Sequence, residues 1–97
     1  MDRVEKLLDE IRRLPELARL DRRASSFLND VAEIYERDGA GVAKTYLLKQ
    51  QAKRQIEVRV LLSVIERLEA CAEVRVRRAI GRQVIKCLYE LKGGAGR

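Results

Sequence analysis

One proline in ninety-seven residues, and apolar side chains that return every three or four positions, constrain this chain to helices. The six glycines fall in a few places, so long stretches run without a breaker. Sheet proteins need more turns than this sequence supplies. The apolar content of 46% is mostly Leu, Val, Ile and Ala, which suits helix-on-helix packing and argues against disorder. Ninety-seven residues make one domain with a modest core and no room for a separate catalytic layer. The expected fold is all-α, a small bundle of four to five helices with a long third helix. Residues 1–92 form the helical domain and the Gly-rich residues 93–97 a flexible tail.

In chain order, Asp2 and Glu5 have capping-box spacing, and Val4, Leu7, Leu8, Ile11 and Leu14 form the first apolar stripe. Pro15 ends that run and can begin a short helical turn through Leu20. Asp21 or Ser25 is expected to cap the next helix, whose apolar face is Phe27, Leu28, Val31, Ile34 and Tyr35. Arg37, Asp38, Gly39 and Gly41 mark its end. The segment 42–70 would be about thirty residues of helix, which is long, so a kink or break is expected in the polar stretch 50–54. Its second half is strongly apolar: Val58, Leu61, Leu62, Ile65 and Leu68 share one face, and Val60 and Val64 widen it. That width suggests burial on more than one side and makes the five-residue face the candidate oligomer interface. Short alternations at 58–60 and 74–77 admit a strand, but the helical spacing persists and the strand spacing does not. Residues 70–73 are either a turn or continuous helix, and Gly81 marks either a close helix crossing or a tolerated interruption.

Residues 72–91, AEVRVRRAIGRQVIKCLYEL, carry two faces. Val76, Ile80, Val84, Cys87, Leu88 and Leu91 lie on one side; Arg75, Arg78, Arg82 and Lys86 lie on the other. The basic stripe would span about 16 Å, enough to meet several phosphates or a row of carboxylates. The formal charge of +6 is uneven: residues 1–40 hold 8 Lys and Arg against 10 Asp and Glu, whereas residues 41–97 hold 13 against 5. A basic half points to a polyanionic or acidic partner, with a solvated charged surface as the plainer alternative. No aromatic residue interleaves with the stripe, so base stacking lacks its usual platform.

Catalysis receives little support. Histidine is absent, which removes His-based triads and the usual zinc sites. The segment GAGVAKT at 39–45 ends in Lys-Thr like a phosphate loop, but its glycines are too close and Ala43, not glycine, precedes Lys44. Cys71 and Cys87 fit buried small hydrophobes better than a metal pair or a disulfide. No catalytic residue, cofactor site or metal site is expected. The charged first ten residues do not look like a signal peptide, and no apolar run approaches eighteen residues. The expectation is a cytoplasmic protein. Abundant Arg and Glu with a single Asn fit a thermophile.

The order of elements resembles the helical A domain of archaeal GINS subunits. The resemblance rests on the short first helix, the leucine-spaced connector LPELARLD at 14–21, the aromatic-containing stretch 27–35, the long helix, and the Arg-rich EVRVRRAI at 73–80. It covers about residues 1–91. GINS subunits usually add a small β-rich domain, whereas here a Gly-rich tail follows. The resemblance implies a non-enzymatic scaffold in a DNA-replication complex, assembled through helical domains into homo- or hetero-oligomers, with Val58, Leu61, Leu62, Ile65 and Leu68 serving subunit contacts. The alternative is a small basic nucleic-acid-binding protein, such as the small helical subunit of an RNA-guided effector complex or a chromatin-like protein, touching DNA or RNA through the basic C-terminal half.

Overall fold

The computed structural model describes residues 3–20, 22–70, 74–86 and 88, and the side chains of 5–20, 23–70, 80–86 and 88. Every regular element among them is helical. Helix α1 (Arg3–Arg12) turns Leu7 and Ile11 into the core, with Leu8 and Leu14 packed at its edge. Pro15 then starts a short 3₁₀ helix, Pro15–Arg19, as its fixed torsion and missing N–H allow. That turn brings Leu17 inside, and Leu20 follows it.

A second 3₁₀ turn, Arg22–Ala24, runs directly into α2 (Ser25–Asp38). The cap expected of Ser25 is not made. The preceding turn carries the helical path through Ala24, so Ser25 is already the first helical residue and Ala24 has no side chain to cap with. Asp2 and Asp21, the other cap candidates, lie outside the described residues. Phe27, Leu28, Val31 and Tyr35 are buried as the spacing predicts, with Ile34 partly so.

Gly39 alone separates α2 from α3 (Ala40–Gln50). Its backbone sits at φ 92°, ψ −179°, a region that only glycine occupies without strain. Its N–H donates to the Tyr35 carbonyl at 3.0 Å, closing α2. Its own carbonyl accepts from the Ala43 N–H at 3.1 Å, opening α3. The third helix therefore starts two residues earlier than Val42.

The long third segment is two helices, broken where the polar stretch predicted. The Lys53 and Arg54 N–H groups both turn back to the Gln50 carbonyl, at 3.1 and 3.0 Å, and Arg54 leaves the helical region at φ −137°, ψ 55°. A tertiary contact accompanies the break: the Arg54 guanidinium carbon lies 4.9 Å from the centre of the Phe27 ring. Helix α4 (Gln55–Glu69) follows and is the central element, meeting α1, the first 3₁₀ helix, α3 and α5 (Val74–Lys86). Its residues Val58, Val60, Leu61, Val64, Ile65 and Leu68 are all buried. Both stretches that admitted a strand are helical.

α4 ends at Glu69 with Ala70 as its cap; residues 71–73 lie outside the described residues, as do Cys71, Cys87 and the tail 93–97. α5 packs chiefly on α2 and secondly on α4. Gly81 explains how closely. A Cβ at this position would overlap the edge of the Tyr35 ring and come within 3.2 Å of Leu68 Cδ1. Gly81 therefore marks a close crossing, and its helix-propensity cost of about 1 kcal/mol is offset by the contact it permits. The principal extents of 38 × 34 × 17 Å describe a slab; its thin dimension holds no more than two helix layers of about 10 Å each.

Two glycine substitutions should move stability in opposite directions. Gly81→Ala overpacks the crossing and should destabilise by about 1–3 kcal/mol. Gly41→Ala, at a helical position with nothing within 4 Å of the added methyl, should stabilise by roughly 0.5 kcal/mol. Urea unfolding at low micromolar concentration measures both.

Candidate interaction surface

α5 carries five basic residues and no acidic one between Val74 and Lys86. Arg75 and Arg78 lie on this helix, but their side chains are outside those described. Arg82 is not free for a partner. Its Nη1 donates to both Glu36 carboxylate oxygens of α2, at 3.2 and 3.4 Å. Its Nε is covered and makes no hydrogen bond. Lys86, one turn further on, is exposed. At Arg82 the predicted stripe is thus an intramolecular link between α5 and the acidic α2, which holds Asp30, Glu33, Glu36 and Asp38 against Arg37.

Beneath the Arg82–Glu36 pair lies a more enclosed contact. Tyr35 is fully buried, and its hydroxyl donates to Glu69 Oε2 of α4 at 2.8 Å. A ring on α2 therefore touches α5 at Gly81 and reaches α4 through its hydroxyl. On α4, Arg67 Nη1 donates back to the Ser63 carbonyl at 3.1 Å, and its covered Nε makes no hydrogen bond.

The candidate oligomer face requires correction. Val58, Leu61, Ile65 and Leu68 are each 0% exposed, enclosed by the chain's own helices. Of the five, Leu62 alone retains surface, and it too packs against the core. The breadth of apolar residues on α4 reflects its central position, with neighbours on several sides. It does not mark surplus surface. Among the described residues the large exposed apolar side chains are instead on α3: Val42 at 50% and Leu48 at 57%. Periodicity could not separate them, because the apolar residues of α3 run around the whole helix.

Sequence reasoning also missed an aromatic–basic cluster at the α3–α4 corner. The Phe27 and Tyr46 rings stack with centroids 5.9 Å apart, and Arg54 covers Phe27. Lys49 and Lys53 are exposed beside this corner in sequence. Distances of 19 and 8 residues along the chain hide the grouping from any local pattern.

The phosphate-loop lookalike has the wrong backbone. Gly41 to Thr45 lie inside α3, and the Thr45 hydroxyl donates to the Gly41 carbonyl at 3.0 Å, as a helical threonine does. Among the described residues no group of three His, Cys, Asp or Glu could hold a metal ion, and no helix is long and apolar enough to cross a membrane.

No protein-family model, no curated protein and no solved structure matches this chain.

The two polar links from α2 should differ in weight. Arg82 and Glu36 are 39% and 41% exposed, so Glu36→Gln should change stability by less than about 1 kcal/mol. Tyr35→Phe removes a hydroxyl from an enclosed site and should cost about 1 kcal/mol or more. Thermal melts of the two variants, read side by side, test the order.

Proposed function

We propose that this chain is a non-enzymatic helical interaction subunit whose basic half docks on an acidic protein surface. The specific form follows the resemblance to GINS A domains: a scaffold subunit of an archaeal DNA-replication complex. The observation that carries the reading is the Arg82–Glu36 pair, reached from a helix that has no acid of its own between Val74 and Lys86. α5 already uses an arginine to recognise a carboxylate of a neighbouring helix, and Lys86 stands exposed one turn beyond. A partner's acidic helix laid alongside would extend the same chemistry, with charge complementarity supplying on-rate and specificity more than raw affinity.

A second reading has its own support. The partly exposed Tyr46 ring, stacked on the buried Phe27 beside Arg54 and with Lys49 and Lys53 close in sequence, is the aromatic component that the α5 stripe lacks. It favours a nucleic-acid-binding subunit that contacts single strands at the α3–α4 corner.

Fluorescence anisotropy with three probes of equal charge separates the two: labelled polyglutamate, a DNA oligonucleotide and an RNA oligonucleotide. The first reading expects polyglutamate to bind best and Arg78→Glu plus Lys86→Glu to weaken it at least tenfold. The second expects the oligonucleotides to bind best, with affinity falling steeply with salt and on Lys53→Glu. No binding of any probe at low salt would overturn both.

A further inference from the structure

The break between α3 and α4 contains no residue that requires one. Pro15 follows α1 and Gly39 closes α2, but residues 50–55 read Gln, Gln, Ala, Lys, Arg and Gln, with no glycine or proline among them. All six belong to the favourable end of the helix scale. The backbone has left the helical path only in part. Gln51 keeps helical torsions, at φ −56°, ψ −39°. The Arg54 N–H donates to the Gln50 carbonyl at 3.0 Å and the Val58 N–H to the Arg54 carbonyl at 2.9 Å, both with the four-residue step of an α-helix. Arg54 itself departs, at φ −137°, ψ 55°.

Local sequence therefore favours one helix through residues 40–69, and tertiary contacts fold it in two. Arg54 is the residue they share. Its guanidinium carbon lies 4.9 Å from the centre of the Phe27 ring of α2, and its Nη1 lies 3.9 Å from Glu57 Oε2. The Phe27 ring stacks in turn on Tyr46 of α3. These contacts tie the turn to α2 and α3, where continuous helix would pull it away.

Straightening does not fit inside one folded chain. Continuous helix over residues 40–69 would be about 45 Å long, against a longest extent of 38 Å for the molecule. It would carry α4 and α5 away from α1 and α2 and expose Leu61, Ile65, Leu68 and Ile85, all fully buried. A second copy opened in the same way covers these residues again with its own α1 and α2.

We infer that residues 50–55 are a hinge of helix-forming residues, latched by Arg54 on Phe27, through which two copies of this chain exchange α4 and α5. The packing of α2 on α5, the most extensive in the molecule, then forms between chains, as do the contacts of α4 with α1 and α3. Only the turn changes, which makes the exchange a low-cost route to a two-fold dimer. In dilute solution the short link 51–54 holds the two halves of one chain at high effective concentration, so the closed monomer dominates. The exchanged dimer presents α5 twice in one particle, whatever α5 binds.

The test is to unfold isotope-labelled and unlabelled chains in equal amounts, refold them together at about 1 millimolar, and separate the products by size exclusion. The expected product is a dimer in which isotope-filtered nuclear Overhauser spectra place the Tyr35 ring of one chain against Gly81 of the other. In the closed monomer that contact lies within one chain. Arg54→Ala removes the latch from both hinges and should raise the dimerisation constant at least tenfold. Ala52→Gly disfavours both continuous helices and should lower it at least tenfold. Ala52 is exposed and the Arg54 side chain is 38% exposed, so both variants should keep the helical content of the parent. Arg54→Ala that yields only monomer would overturn the proposal. So would a dimer whose Tyr35–Gly81 contacts stay within each chain, or a dimerisation constant that neither substitution moves.

Discussion

The Tyr35 ring, seated on Gly81, is the contact on which the arrangement of the three longest helices depends. Tyr35 belongs to α2, Gly81 to α5, and the Tyr35 hydroxyl reaches Glu69 at the end of α4. α2 and α5 share the largest packing surface between any two elements. They approach as closely as they do because one of them has no side chain at the crossing. The Tyr35 carbonyl also receives the Gly39 N–H that closes α2, so the same residue fixes where the chain reverses into α3. A phenol buried without a partner would cost more than its hydrogen bond returns; here the partner is Glu69 at the end of α4.

Much of this architecture was legible in the chain. The 3.6-residue spacing identified the helices, Pro15 marked a real boundary, and the polar stretch 50–54 marked another. Gly81 was recognisable as one of two things, a crossing or a tolerated gap. Only the position of Tyr35, forty-six residues earlier, decides between them. The cap at Ser25 was misread because local sequence does not reveal that a 3₁₀ turn feeds straight into α2.

The surface was less legible, for a physical reason. An apolar side chain has the same chemistry whether its own fold or another subunit covers it. The wide apolar face of α4 suggested a partner, yet that helix is central, and four of the five candidate residues are fully enclosed by the chain itself. α3 gave no such signal because its apolar residues point in all directions, and Val42 and Leu48 are left outside. The basic stripe was read as one surface, whereas Arg82 is committed to Glu36 and Lys86 is exposed. What a helix offers to a partner is what remains after the fold has taken its share, and that remainder depends on neighbours distant in sequence.

The central claim is therefore an allocation: α4 spends its apolar face inside the fold, and α3 carries the large apolar residues that remain outside among those described. Hydroxyl-radical footprinting tests it most directly. Val42 and Leu48 should be oxidised readily, while Leu61, Ile65 and Leu68 stay unlabelled. Oxidation of Leu61 and Ile65 in the folded protein would contradict the account.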